Sequence, residues 1–72
     1  MPTLEFTITG QQNSFDTGSH AEAARAALEA LVAAFPQASR PHGVMEHVTE
    51  NEVRRMIGEH GLSDQFQFAI LP

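Results

Sequence analysis

A chain of 72 residues, 42% hydrophobic and 18% charged, has material for one core and not for two, which excludes a large multi-site enzyme and sets it apart from disordered segments. Nine carboxylates against four arginines and no lysine give a net charge of -5; lacking a basic stripe to displace counterions, the chain is expected to bind neither nucleic acid nor an anionic membrane surface. With no cysteine there are no disulfides, thiolate nucleophiles or cysteine-based zinc sites, so core packing or self-association has to stabilise a single α+β domain over residues 1–72.

The start, Met1-Pro2-Thr3-Leu4-Glu5, lacks the basic beginning and long apolar stretch of a signal peptide, and the charge-free run from Ala30 to Ser39 is too short to span a bilayer, so a cytoplasmic location is expected. Leu4, Phe6 and Ile8 alternate with Glu5, Thr7 and Thr9, the period-two pattern of a half-buried strand. Gly10-Gln11 fits a two-residue type II′ turn. That register sets Phe15 opposite Phe6 and Glu5 opposite Asp16, and it makes Asn13 to Thr17 an edge strand or an ordered loop.

Ser19-His20-Ala21-Glu22 reads as a capping box, in which the serine hydroxyl accepts from the Glu22 N–H and the glutamate reaches back to Ser19. A helix is predicted from there, with Ala21, Ala24, Leu28, Leu31, Val32 and Phe35 on its apolar side and Pro36 stopping it. A turn-rich connector follows over residues 37–42. Val44 to Val48 reads as a short strand of ambiguous facing.

Thr49-Glu50-Asn51-Glu52 is a second capping box, and Val48 and Val53 occupy the two positions of a hydrophobic staple. The second helix places Val53, Met56, Ile57 and His60 on one side, pairs Glu50 with Arg54 at i,i+4, and ends at Gly61 in a left-handed cap. Gly58 inside it costs about 1 kcal/mol relative to alanine, which implies a loose last turn or a close packing contact. After the turn at Ser63-Asp64, the charge-free run Gln65 to Leu71 returns to period two with Phe66, Phe68 and Ile70 on one face. Such a strand belongs inside a sheet or at a dimer seam, because a bare edge of this kind invites aggregation. The order ββαβαβ or βαβαβ describes a small sheet of three or four strands with two helices packed on one face. A core of this size supplies about 3–5 kcal/mol, a margin that a homodimer formed by pairing of the final strands would ease.

His20, His42, His47 and His60 raise a histidine-dependent metal site as one alternative, since imidazole is a common zinc and copper ligand. Their spacing works against it: five residues separate His42 from His47, which puts them on opposite faces of a strand, and neither helix carries paired i,i+4 histidines or an HExxH motif. No cofactor is expected. The serines have no GxSxG context and no glycine-rich phosphate loop is present.

The start Met1-Pro2-Thr3-Leu4-Glu5, leading into a strand and then an amphipathic helix in a chain of this size, resembles the tautomerase family over about its first eight residues. That resemblance implies a small α/β oligomer in which Pro2, freed by removal of Met1, acts as general base. The arginine which that family places after its first strand falls here at Gln11 and Gln12, and the family's glycine-rich segment has no counterpart. A tautomerase-like enzyme is therefore carried as an alternative.

The preferred expectation is a small, acidic, non-catalytic protein-binding module, an inhibitor or adaptor of a larger bacterial protein, with phage-type inhibitors one class of similar build. Ten alanines and the exclusive use of arginine hint at a GC-rich bacterial or phage genome. The acids of the second half outnumber the arginines beside them, which steers association towards a basic partner. The predicted contact residues are Glu46, Glu50, Arg54 and Arg55, with Phe66 and Phe68 added if the last strand is exposed.

Overall fold

The computed structural model describes residues 2–38 and 48–72. Strands β1 (Thr3–Ile8), β2 (Gln11–Asp16) and β3 (Phe66–Leu71) form one antiparallel sheet in the order β2-β1-β3, and helices α1 (His20–Ala34) and α2 (Glu50–Glu59) complete an α+β fold. A single 3-10 turn, Pro36–Ala38, follows α1. The strand expected over Val44 to Val48 lies outside the described residues except for Val48, which is buried and not in a strand.

The hairpin forms with a different turn from the one expected. Ile8 pairs with Gln11, so the two loop residues are Thr9 and Gly10, at φ +47 and +89. Positive φ at both positions is the type I′ signature, whose twist matches that of the flanking strands. The one-residue shift sets Phe15 opposite Leu4, Asn13 opposite Phe6 and Ser14 opposite Glu5. Asp16 thereby avoids Glu5 and instead accepts the Thr3 hydroxyl at 2.9 Å. The Phe6 and Phe15 rings still meet edge-on across the diagonal, with centroids 6.1 Å apart.

Helix α1 begins as the sequence predicts, the Glu22 N–H donating to Ser19 Oγ at 3.1 Å. The return half of the box reaches one residue further than expected, because Glu22 Oε2 accepts from the Gly18 N–H at 2.9 Å. The buried stripe also differs: Ala23, Ala24, Ala27, Leu28 and Leu31 face inward, Val32 and Phe35 are half-buried, and Ala21 is exposed. Alanines on both sides of the predicted stripe leave its rotational phase poorly marked, and the structure turns the thin alanine face to the sheet. There α1 packs over β1 and β3 and also touches α2.

Helix α2 starts on Thr49, whose Oγ1 accepts from the Glu52 N–H. Val48 and Val53 are both buried, as the staple requires. Its C-terminus is a Schellman motif: Gly61, at φ +66, donates to Gly58 O at 3.2 Å and Leu62 donates to Ile57 O at 2.9 Å. His60, expected on the apolar side, is exposed because the helix ends on it. Among the described residues a Cβ at Gly58 would meet nothing within 4 Å, so no close contact there calls for this glycine.

One face of the sheet carries Leu4, Phe6, Ile8, Phe66, Phe68 and Ile70 under the helices. Phe6 and Phe66 stack with centroids 6.0 Å apart, and Phe66 lies 6.4 Å from Phe68. The central strand is β1; among the described residues β3 pairs on one side only, so of the two places expected for it, inside the sheet or at a dimer seam, the first is not met within the chain.

Candidate protein-binding surface

The outer side of β3 can be read residue by residue from its ladder. Thr9 N–H donates to Gln65 O at 2.9 Å, and the register pairs Thr7 with Gln67, Glu5 with Ala69 and Thr3 with Leu71. Hydrogen-bonded pairs alternate along an antiparallel ladder, so residues 65, 67, 69 and 71 turn their peptide groups to β1 while Phe66, Phe68 and Ile70 turn theirs outward. The Phe66 N–H is taken by Leu62 O at 2.8 Å. What faces outward without a described partner is the carbonyl of Phe66 and both peptide groups of Phe68 and Ile70.

A cavity of about 240 Å³ straddles this edge, lined by Arg54, Ile57, Ser63, Phe66, Gln67 and Phe68. Gln67 belongs to the open face of the sheet and Phe66 and Phe68 to the helix face, so the hollow wraps around the strand beneath α2. The surface offers strand hydrogen bonding on one wall and apolar side chains on the other. Gln67 Nε2 reaches Ser63 O at 3.3 Å and closes one end.

A line of charge borders the hollow. Glu50 Oε2 accepts from Arg54 Nη2 at 2.8 Å and Nε at 3.1 Å, and its other oxygen stands 3.2 Å from His20 Nε2. The Arg54 guanidinium then covers the Phe68 ring, 4.4 Å from its centroid. Glu50 opens α2, where a carboxylate is favoured by the helix dipole. It thus ties the start of α1 to the start of α2, and through Arg54 to β3. Exposed pairs of this kind contribute about 0–1 kcal/mol each, so the arrangement positions groups more than it holds the fold.

Of the residues expected to make contacts, Glu50, Arg54 and Phe68 are brought together. Arg55 lies apart, 3.8 Å from Glu52 and 3.5 Å from Glu59. Glu46 falls outside the described residues. Phe66 and Phe68 are buried at 1% and 7% exposure, and they reach the surface only at the hollow they help to line. Sequence reasoning missed Ile57, Ser63 and Gln67 as walls of the hollow and His20 as a partner of Glu50. The charge-free edge was the one signal that pointed to this place.

Among the described residues no group of three or more His, Asp or Glu side chains could hold a metal, and His42 and His47 are outside that set. The described part contains no buried polar or charged side chain. Pro2 is half-buried at the head of β1, its carbonyl held by the Thr17 N–H at 2.8 Å and the Thr17 hydroxyl at 3.0 Å. Cavities of about 380 Å³ and 310 Å³ elsewhere are lined by His20, Ala21, Val48, Thr49, Glu50 and Asn51 and by Thr49, Asn51, Glu52 and Arg55. No described helix is long and apolar enough to cross a membrane. No family of known proteins, no curated protein and no solved structure matches the chain.

Proposed function

We propose that the chain is a non-catalytic protein-binding module, an adaptor or inhibitor, that takes an extended segment of its partner along the outer edge of β3. The observation that carries this reading is a six-residue edge without a charge, Phe66–Leu71, whose outward peptide groups border a hollow under α2 with Ile57, Phe66 and Phe68 among its walls. Strand addition draws affinity from main-chain hydrogen bonds and selectivity from pockets that receive alternate side chains. The hollow supports apolar residues at every second position of the guest. The net charge of -5 supports a basic guest, drawn in by the field of the whole molecule.

The test is a titration of the labelled chain with a capped peptide of alternating valine and lysine, followed through the backbone amide resonances. Saturable shifts concentrated at Phe68 and Ile70, weakened at high salt and by Glu50→Lys, are expected. Saturation without change at those two amides would reject the reading.

A further inference from the structure

We infer that a second copy of this chain occupies the β3 edge, joining two three-stranded sheets into one six-stranded sheet across a two-fold axis at Phe68. This inference rests on the reading of β3 as a binding edge and names a second occupant of that edge, one with which a basic guest strand would compete. Charge favours it first. On a chain of net charge -5, contact between two copies sets carboxylates against carboxylates over much of the surface, yet β3 has none to oppose. The other sheet edge is different, since β2 ends in Asp16 and Asp16 is among the residues whose peptide groups face outward there by the same alternation, Thr17 N–H being bonded to Pro2 O.

The pattern of peptide groups is also self-complementary. Antiparallel pairing of Phe68 with Phe68 of the second copy exchanges two bonds, and each Ile70 N–H meets the Phe66 carbonyl of the other chain, about four bonds in all. The Phe66 N–H, already given to Leu62, is not needed. Shifting the axis to Ala69 keeps the number of bonds but opposes only Phe68 with Ile70. The axis at Phe68 opposes Phe66 with Ile70, Phe68 with Phe68 and Ile70 with Phe66, all on the helix-covered face, and it brings to the seam the two Arg54 guanidiniums that cover the Phe68 rings, each already paired with its own Glu50. In that register Ile70 of the second copy arrives beside Phe66, at the hollow lined by Ile57 and Phe66.

The register makes the interface testable through the opposite face of the strand, where Gln67 of one copy would stand across from Ala69 of the other. Sedimentation of the full chain between about 1 and 500 µM is expected to show a monomer–dimer equilibrium, a range that spans affinities common for modest interfaces. The double variant Gln67→Lys with Ala69→Lys puts like charges across the seam and is expected to weaken dimerisation at least about tenfold, against a cost of like charges opposed on paired strands. Gln67→Glu with Ala69→Lys puts opposite charges there, and within the chain it sets a lysine opposite Glu5; it is expected to dimerise at least as tightly as the parent. Thermal melts establish that each variant folds. A chain that stays monomeric throughout, or two double variants equally weakened, overturns the inference. A monomer whose Phe68 and Ile70 amides exchange freely and still shift with the valine–lysine peptide overturns the dimer while leaving the edge-binding reading in place. Protection of those amides in a dilute monomer overturns both.

Discussion

The guanidinium of Arg54 lies 4.4 Å from the centroid of the Phe68 ring while its Nη2 is 2.8 Å from Glu50, so one side chain links the exposed face of α2 to the edge of the sheet. A cation over an aromatic face at a partly exposed site contributes about 0.5–1 kcal/mol. In a double-mutant cycle combining Arg54→Met with Phe68→Leu, urea denaturation should give a coupling of about that size. Strict additivity would show that the ring and the guanidinium are merely neighbours.

Thr9 holds φ +47 in the hairpin turn, an unfavourable place for a β-branched residue even with its hydroxyl donating to Ile8 O at 2.8 Å. Thr9→Asn makes the Asn-Gly pair that type I′ turns prefer. The expected gain is about 0.5–1 kcal/mol, the usual size for relieving a backbone mismatch. A loss of stability would mean that the threonine hydroxyl contributes more than its backbone costs.

At the start of α1, a Cβ on Gly18 would come within 2.5 Å of Glu22 Oε2. The carboxylate is the free end of a flexible side chain, so Gly18→Ala should displace it at small cost rather than disrupt the helix. Glu22→Ala is expected to lose about 0.5–1 kcal/mol from the cap and dipole interactions. The same change made on a Gly18→Ala background should lose distinctly less, and equal losses in both backgrounds would disprove the Gly18–Glu22 bond as the source.

Gly58 within α2 and Gly61 just beyond its end should respond in opposite directions. Among the described residues nothing stands where a Gly58 Cβ would go, so Gly58→Ala should stabilise by about 0.5–1 kcal/mol. Gly61, at φ +66, closes the Schellman motif, and Gly61→Ala should destabilise by about 1–2 kcal/mol. For a domain of this size the pair should separate in Tm by roughly 4–8 °C per kcal/mol. A Gly58→Ala variant that melts lower than the parent would indicate a contact across that helix face.

Much of the architecture was legible because it is set by neighbours in the chain. Ser19 and Thr49 cap their helices through bonds three residues away, Pro36 and Gly61 end them by their own backbone limits, and the alternation from Leu4 to Ile8 and from Phe66 to Ile70 marks the buried face of each strand. The hairpin register was less secure, since Thr9-Gly10 and Gly10-Gln11 differ by one residue and the polar arm from Gln11 has a single large apolar side chain to arbitrate. The rotation of α1 was likewise underdetermined, alanine being small enough to face either way.

The sequence by itself determined the class of fold, the ends of both helices and the acidic, lysine-free surface, all consequences of residue type and short-range spacing. Only the tertiary structure decided that β1 is central, that β3 is an edge among the described residues, and that His20, Glu50, Arg54 and Phe68 form one line. Strand order and ion-pair partners depend on where α1 and α2 come to rest on the sheet. That placement follows from how their apolar faces pack together, and local pattern does not encode it.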